Sequence, residues 1–306
     1  LGYYGRINYD FLSRYLFEAN LRYDGTSKFP TNLKWRWFPS FSAGWRASEE
    51  SWMNWSKPFL SSLKFRGSWG RIGDQTVKNT LYLSLMESGQ GTWLDPSGKK
   101  LTYVGMPSSV LSSITWQDIE TLNLGFDATI LNGGLDIVFD WYRRDTKNMI
   151  VPMEGVPATF GSEAPLGNFG NLRTNGWELS INYNHRFENG LAINAMFTLS
   201  DALTKITEYG SSTSIYENYN GRTYGEFWGY RTDRLYQKDD FLYDDKGLIL
   251  TTYALNGKEV AKGTPGAKLV NKLKDSNGIY QDYLHSGNFV FGPGDVKFKD
   301  VNGDGK

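Results

Sequence analysis

Several segments of this chain alternate apolar and polar residues over about ten positions, the length at which a tilted β-strand crosses a bilayer. In the clearest hairpin, the first strand carries Asn123, Asp127 and Thr129 on its polar face. The turn Asn132-Gly133-Gly134 follows, and the returning strand repeats the alternation. The apolar positions of the two strands are Leu122, Leu124, Phe126, Ala128, Ile130, Leu135, Ile137, Phe139 and Trp141. This pattern predicts an all-β fold whose two sheet faces meet different environments.

The polar faces of these strands distinguish two all-β architectures. Asp136 and Asp140 lie on the polar face of one strand, and Glu178 and Asn182 lie on that of a later strand. In a soluble β-sandwich the apolar face would pack against a second sheet, and the pattern alone leaves this alternative open. A face this polar is poorly suited to a dry core. We therefore expect an antiparallel transmembrane β-barrel, with the four polar residues facing a water-filled lumen.

Composition agrees with a β-barrel and argues against three other classes: helical membrane proteins, nucleic-acid-binding proteins and disulfide- or thiolate-stabilised domains. The mean hydropathy is −0.48 although 40% of the 306 residues are hydrophobic and 16% aromatic. No apolar run reaches the roughly 18 residues that a membrane-spanning helix needs. The 33 Lys and Arg residues balance 33 Asp and Glu residues, so no net charge draws the chain to nucleic acid. Without cysteine, the chain can form neither a disulfide nor a thiolate metal site.

Connections between the predicted strands alternate between short and long. Strands are expected near residues 1–11, 15–24, 37–48, 61–73, 118–130, 135–147, 173–187 and 190–202. Links after the first, third, fifth and seventh are short, with 49–60 the longest, whereas 25–36, 74–117 and 148–172 are long. Short periplasmic turns and long external loops are typical of outer-membrane barrels. Alternation ends near residue 203, and we expect a large extracellular loop region from there to residue 293.

Five stretches resemble barrel motifs of the SusC/RagA group of TonB-dependent outer-membrane transporters, found in Bacteroidota. They occur in the order typical of the group and span Leu21 to Gly305. Two positions depart from the group's usual residues, namely Gly67 and Trp177. The stretches are LRYDGTSKF (21–29), WFPSFSAGWRASEE (37–50), LKFRGSWG (63–70), NFGNLRTNGWEL (168–179) and PGDVKFKDVNGDG (293–305).

The resemblance implies a barrel of about 22 strands, filled by an N-terminal plug. It implies a SusD-like surface lipoprotein over the barrel mouth, TonB acting through the plug, and import of oligosaccharides or peptides across the outer membrane of a Gram-negative bacterium. On this interpretation residues 1–306 are a partial barrel and form part of the pore wall and extracellular gate. Strands lie mainly in 1–202, the extracellular loop region in 203–293 and the start of a further element in 294–306. The plug and the C-terminal strands are expected outside this sequence.

One motif near residue 300 has the spacing of a calcium loop. Asp300, Asn302 and Asp304, followed by Gly305, match the first half of the D-x-[DN]-x-[DN]-G pattern. Side chains at its first, third and fifth positions converge on one ion, and glycine permits the sharp turn. Asn-Gly and Asp-Gly also form plain turns, so a structural turn is the alternative. We expect no required cofactor, with calcium as the one candidate ion.

Aromatic residues in the predicted loops are candidates for contacts with a ligand or with the lid lipoprotein. Flat rings suit the apolar faces of sugars, but the same rings pack loops against each other or against a lid, which is the favoured interpretation. These residues are Trp93, Tyr103, Tyr219, Tyr224, Trp228 and Tyr230.

Catalytic signatures are absent from the sequence. His185 and His285 are its two histidines, and neither lies in a nucleophile or metal-protease motif. We therefore predict that the chain is not an enzyme. The alternative to a transporter segment is a non-transporting surface β-sandwich that binds glycans through its aromatic loops.

Overall fold

The computed structural model describes residues 1–79, 81–210 and 214–305. These residues form mostly antiparallel strands, joined by turns and short 3-10 helices. Among them, no helix is both long and apolar enough to cross a membrane. The chain divides into two compact units, Leu1–Glu226 and Phe227–Lys306.

The first unit is built on one large antiparallel sheet. Its described strands are β1 Gly2–Phe11, β2 Tyr15–Gly25, β3 Trp35–Arg46, β4 Leu60–Asp74, β5 Ser88–Leu94, β6 Lys100–Val104, β7 Gln117–Ile130, β8 Leu135–Pro152, β9 Leu166–Arg186 and β10 Ala192–Glu208. Eight of them pair in the order β1-β2-β3-β4-β7-β8-β9-β10, while β5 and β6 form a separate hairpin. Each sheet neighbour is thus the next long strand along the chain. The predicted antiparallel all-β fold is confirmed.

Three strands run further than the alternation predicts, all at the end of the sheet with the long connections. β8 continues to Pro152, β9 already begins at Leu166, and β10 continues to Glu208. In the β8–β9 extension the backbone ladder continues through uncharged pairs such as Ile150 opposite Asn168, after register shifts between Thr146 and Ile150. Hydrophobic periodicity ends where the apolar face ends, although hydrogen bonding between the strands continues. The β5–β6 hairpin likewise lies inside a connection predicted only as a loop.

Short connections join the strands at the opposite end of the sheet. Leu12 and Ser13 have φ of 55° and 54°, the left-handed backbone of the two central residues of a turn in which the Arg14 N–H donates to the Phe11 carbonyl. The Asp10 carboxylate accepts the Ser13 N–H at 2.7 Å and holds this turn. The 3-10 helices of the first unit are Thr31–Leu33, Ala47–Glu49, Ser51–Ser56, Leu131–Gly133 and Ala158–Phe160.

A buried apolar cluster anchors the long connections to the sheet. Phe29, Phe38, Ile114 and Trp116 are each at most 4% exposed and contact one another. The Trp116 indole N–H donates to the Lys34 carbonyl at 3.0 Å. The segments that follow β2 and precede β7 are therefore tied together at this end of the sheet.

The second unit has small sheets around a core of its own. Its described strands are β11 Thr232–Leu235, β12 Thr251–Leu255, β13 Lys258–Val260, β14 Lys268–Asn271 and β15 Val296–Phe298, and its 3-10 helices are Lys238–Asp240 and Asp282–Leu284. β12 is central between β13 and β14, and β11 pairs with β15. Residues 294–306 were predicted to start a further element, and the structure pairs β15, within that segment, with β11.

Buried aromatic and aliphatic side chains hold the second unit together. Its core comprises Tyr236, Phe241, Ala254, Val270, Leu273 and Tyr280. Burial raises the pKa of Tyr236 to about 12, because the phenolate would lose its hydration. The neutral phenol therefore belongs to the folded state at neutral pH.

Two carboxylates fix loops of the second unit by accepting backbone N–H groups. Buried Asp282 accepts from Asn256 at 3.0 Å and from Gly257 at 2.7 Å. Asp240 accepts from both terminal nitrogens of Arg234 at 2.6 Å and from the Gln237 N–H at 2.7 Å. The Arg234 hydrogen bonds lower the pKa of Asp240 to about 2. Asp240 is therefore ionised at neutral pH.

Candidate functional site

The strand register sorts the side chains of the large sheet into two faces. One row across β4, β7, β8 and β9 is Phe65, Phe126, Phe139 and Leu179, which lie opposite one another in turn. The rings of Phe126 and Phe139 are 5.7 Å apart. Leu124, in the next row, is 50% exposed. In these rows the sheet face is thus apolar, and its side chains are half-exposed or exposed.

The opposite face carries a network of charges centred on Arg66 of β4. Its two terminal nitrogens each donate to the Asp140 carboxylate of β8 at 2.7 Å, and its Nε donates to Asp127 of β7 at 2.9 Å. Bidentate hydrogen bonds between charged groups are stronger than neutral ones and fix geometry. Arg66 therefore links three strands across the polar face.

A glycine in β7 allows the Arg66 side chain to cross that strand and contact Asp140. Gly125 of β7 pairs with Arg66 on one side and with Asp140 on the other. A Cβ at Gly125 would lie 2.6 Å from the Phe139 carbonyl oxygen and 2.7 Å from Asp140 Oδ1. The Arg66 side chain thus crosses β7 above a position where any larger residue would collide.

The four residues predicted to face a lumen lie in β8 and β9, on the same face as Arg66. The register places Asp140 opposite Glu178 and Asp136 opposite Asn182, so they form two cross-strand pairs. The Thr129 hydroxyl donates to Asp136 at 2.7 Å. Such a surface can hydrogen-bond to polar solutes and repel apolar ones. Its position in a lumen stays a prediction.

Sequence reasoning missed the Arg66 network. Arg66 is 61 residues from Asp127 and 74 from Asp140. The available signal was alternation, because Arg66 falls on the polar face of its strand and Gly125 interrupts the polar face of another. Without the register, however, neither could be assigned a partner.

The aromatic candidates of the β5–β6 hairpin are exposed. Trp93 on β5 is 80% exposed and Tyr103 on β6 is 56% exposed. Tyr103 lies opposite Gly89, where a Cβ would meet its ring at 2.8 Å. The two aromatic rings are therefore available on the surface of one hairpin.

The remaining aromatic candidates divide between the two units. In the first, the Tyr219 hydroxyl donates to Glu226 at 2.7 Å, whereas Tyr224 is exposed. In the second, Trp228 is exposed, and Tyr230 contacts the rings of Tyr283 and Phe298 with centroids 5.8 and 5.3 Å away. Tyr219 and Tyr230 thus have packing roles within their own units.

The predicted calcium motif folds into a turn closed by its own side chains. Asp300 accepts the N–H groups of Gly303 at 2.7 Å and Gly305 at 2.9 Å. These backbone hydrogen bonds, chiefly that from Gly305, lower the pKa of the Asp300 carboxyl. The Asn302 amide donates to Asp304 at 3.0 Å. Among the described residues, no three His, Cys, Asp or Glu side chains group as metal ligands, and the calcium loop stays a prediction.

Comparison with known proteins identifies the family. Residues 1–271 match the family described as "TonB dependent receptor-like, beta-barrel". TonB-dependent receptor P39 of Formosa agariphila is 27% identical over an alignment of 316 residues, which covers 98% of this chain and 28% of that protein. TonB-dependent receptor SusC of Bacteroides thetaiotaomicron is 32% identical over 183 residues, 60% of this chain and 18% of SusC. The chain thus spans less than a third of the length of these relatives.

A solved structure shows the same fold. The RagAB peptide importer in its "closed-closed" state gives a TM-score of 0.60 at 18% identity and covers 90% of this chain and 29% of that chain. The curated relatives are named as TonB-dependent receptors, which bears out the prediction that this chain is not an enzyme. Barrels of this family lie in the outer membrane of Gram-negative bacteria and generally need no cofactor. The chain belongs to the TonB-dependent receptor family, and residues 1–271 match its β-barrel.

Proposed function

We propose that this chain forms part of the pore wall and extracellular gate of a SusC-like, TonB-dependent importer in the outer membrane of a member of the Bacteroidota. Its substrates are oligosaccharides or peptides. The SusC and P39 relatives come from Bacteroides and Formosa, and the solved relative RagAB is a peptide importer. A SusD-like surface lipoprotein and TonB, reached through a plug region, are the partners proposed for the whole protein.

The observation that carries this proposal is the two-faced sheet. An exposed apolar face suits lipid hydrocarbon, whereas the face with Arg66, Asp127 and Asp140 suits water and polar solutes. A glycan-binding sandwich would need the apolar face covered by a second sheet, yet Leu124 and Phe65 on that face are 50% and 43% exposed. The match to a barrel family also favours the importer.

The second unit and the aromatic hairpin are proposed to lie on the extracellular side. The hairpin occurs in a long connection, and the second unit follows β10 in the sequence, after the end of that strand from which long connections leave the sheet; such connections face outward in these barrels. Trp93, Tyr103, Tyr224 and Trp228 offer exposed rings for the lid lipoprotein and, in second place, for the substrate. Calcium at Asp300, Asn302 and Asp304 is a finer proposal supported by the spacing alone.

Cell fractionation of the full-length protein tests the barrel. We expect recovery in the outer membrane and a mobility shift on boiling before a denaturing gel, because a closed barrel resists detergent until heated. Recovery as a soluble protein without a shift would reject the importer and favour the glycan-binding sandwich.

Transport is tested separately by growth. A deletion strain is compared with its parent on panels of oligosaccharides as carbon source and peptides as nitrogen source, with a tonB deletion as the matched control. Loss of growth on one panel in both mutants is the expected result. Equal growth of the deletion strain and its parent on every substrate in both panels would contradict an import role.

A further inference from the structure

Two exposed charges on the polar face of the large sheet have no charged partner. Arg144 of β8 and Glu178 of β9 lie on the same face as the Arg66 network. Among the residues that the structure describes, neither side chain forms an ion pair or a hydrogen bond. Ionisable groups that face a water-filled path through a membrane protein commonly mark the route of its substrate.

The other arginines of the sheet show how unusual Arg144 is. Seven arginines in the described strands of this sheet each form an ion pair with a carboxylate, and two of them, Arg143 and Arg173, share Asp145. Arg46 and Arg186 have no such partner among the described residues, but they are the last residues of β3 and β9. Arg144 is therefore the one arginine within a described strand of the sheet, away from its end, whose charge is not neutralised.

Tyr142 provides an aromatic surface between the two free charges. It precedes Arg144 by two residues on β8, and the register places it opposite Gly176, two residues before Glu178. A Cβ at Gly176 would lie 2.5 Å from the Tyr142 ring, so the ring lies directly over the β9 backbone. The guanidinium carbon of Arg144 is 6.0 Å from the ring centroid, within the range of a cation–π contact. The ring thus orients Arg144 without neutralising it.

The two ends of this surface carry opposite charges. Arg144 lies between threonines of β7 and β9 in the register, and no acidic residue shares its row across these strands. Glu178 lies opposite Asp140, whose carboxylate is already bound by Arg66. Hydroxyl groups therefore flank the cation, whereas the anion has a second carboxylate beside it. A ligand with a carboxylate at one end and an ammonium group at the other complements both ends.

We propose that this surface binds a short peptide by its two termini, with the terminal carboxylate at Arg144 and the terminal ammonium group at Glu178. Thr174 lies opposite Arg144 and is four residues from Glu178, so the two charges are separated by about 13 Å at roughly 3.3 Å per residue. An extended peptide of about four residues spans this distance. The free terminal nitrogens of Arg144 suit a carboxylate, which they can bind through two hydrogen bonds. A neutral oligosaccharide offers neither charge, and an acidic one matches Arg144 alone.

This inference deepens the proposed function and rests on it, since the polar face must line the pore for a substrate to reach it. Its test uses the full-length protein, extracted in detergent with the lipoprotein that copurifies. The probe is a mixture of tetrapeptides without charged side chains, offered with free termini, with an amidated C-terminus or with an acetylated N-terminus. Retained peptide is measured by mass spectrometry. We expect free peptides to be retained about tenfold better than either blocked form, because each block removes one charge-assisted contact.

Paired variants assign each peptide terminus to one residue. Arg144→Gln should abolish the preference for a free carboxylate and keep the preference for a free amine, whereas Glu178→Gln should do the reverse. A merely structural role would weaken both preferences together. Arg143→Gln is the matched control, because it removes the same charge from the neighbouring residue on the opposite sheet face and should keep both preferences.

The outcomes that would reject this site differ from those that would reject the importer. Equal retention of free and blocked peptides by the wild type would overturn the proposal, as would equal retention of free peptides and tetragalacturonate, an acidic oligosaccharide. A folded Arg144→Gln variant that keeps the carboxylate preference would also overturn it. Heat-modifiability of the same preparations separates the two failures. A barrel that shifts on boiling but has no terminus preference rejects only this site, whereas a protein without the shift rejects the proposed function as well.

Discussion

The two units of this chain differ in whether their apolar side chains are buried. In the second unit, Tyr236, Ala254 and Leu273 are at most 8% exposed, and a core of this kind is what stabilises a domain in water. In the first unit, most of the apolar side chains on one sheet face remain exposed, and the cluster around Phe29 and Trp116 is confined to one end. The large sheet is therefore held by its backbone ladder and its polar face, and its apolar face needs lipid.

The largest expected effect is on solubility. Residues 1–306 alone should aggregate in water, because the apolar face is uncovered and β1 and β10 are the edges of the described sheet. Residues 227–306 alone should stay monomeric, since they contain their own core. Sedimentation velocity of both, without detergent, measures the difference. If residues 1–306 gave a monodisperse, cooperatively melting preparation, the exposed apolar face would not need lipid, and the difference drawn between the two units would be wrong.

The second prediction concerns the core of the second unit. Leu273→Ala should lower the free energy of unfolding by about 2–4 kcal/mol, because a buried side chain is lost and leaves a cavity. Leu248→Ala, at a position that is 64% exposed, should change it by less than about 0.5 kcal/mol. Urea unfolding of residues 227–306 compares the two variants. Equal losses in both would show that this core does not stabilise the unit.

The third prediction sharpens the role of the polar face. Gly125→Ala should displace the Arg66 side chain from Asp140 and destabilise the full-length barrel by about 1–2 kcal/mol, since part-exposed charge pairs contribute modestly. Gly5→Ala is the matched control, because a Cβ at Gly5 meets no atom within 4 Å. The measurement is the temperature at which the boiled-form band appears on a gel. Identical midpoints for both variants would mean that the Arg66 network carries no stability.

The smallest effect is a pH dependence confined to the second unit. The pKa of Asp240 falls to about 2 in the folded state, mainly through Arg234, against an ordinary value near 3.8. Its stabilising contribution is therefore complete above pH 3.8 and is lost as the pH falls through about 2. Asp240→Asn should flatten the melting-temperature profile of residues 227–306 in this acidic range. A variant with the wild-type slope would show that the Arg234–Asp240 pair is not responsible.

The alternation of apolar and polar residues predicted strand bounds accurately where a strand has one apolar face, and less accurately elsewhere. The hairpin β7–β8 was placed to within one residue at its turn, because Asn132 and Gly133 follow a clear apolar series. The extensions of β8, β9 and β10 were missed because register shifts between Thr146 and Ile150 and between Ile206 and Glu208 interrupt the alternation, even though the backbones still pair. The β5–β6 hairpin was missed because the glycine-containing Ser88–Leu94 has no continuous apolar face.

The candidate site residues also differ in how far the sequence could predict them. The alternation of apolar and polar residues alone predicts that four polar residues share one sheet face, and the register places them there. These residues are Asp136, Asp140, Glu178 and Asn182. The partners of Asp140 could not be inferred, because its contact with Arg66 joins strands that are distant in sequence. Aromatic loop residues were equally ambiguous. Tyr224 and Tyr230 are both exposed, and only the structure shows that Tyr230 packs against two other rings.

The sequence by itself determined the alternation, the turns and hence which side chains share a face, because a strand repeats every two residues whatever it pairs with. Tertiary structure decided which strands are neighbours and in which register. That register brings Arg66 over Gly125 to Asp140, and it leaves Arg143 and Arg173 around a single carboxylate. The physical reason is that hydrogen bonds between strands fix the partner of every side chain, and no local pattern encodes a partner 74 residues away.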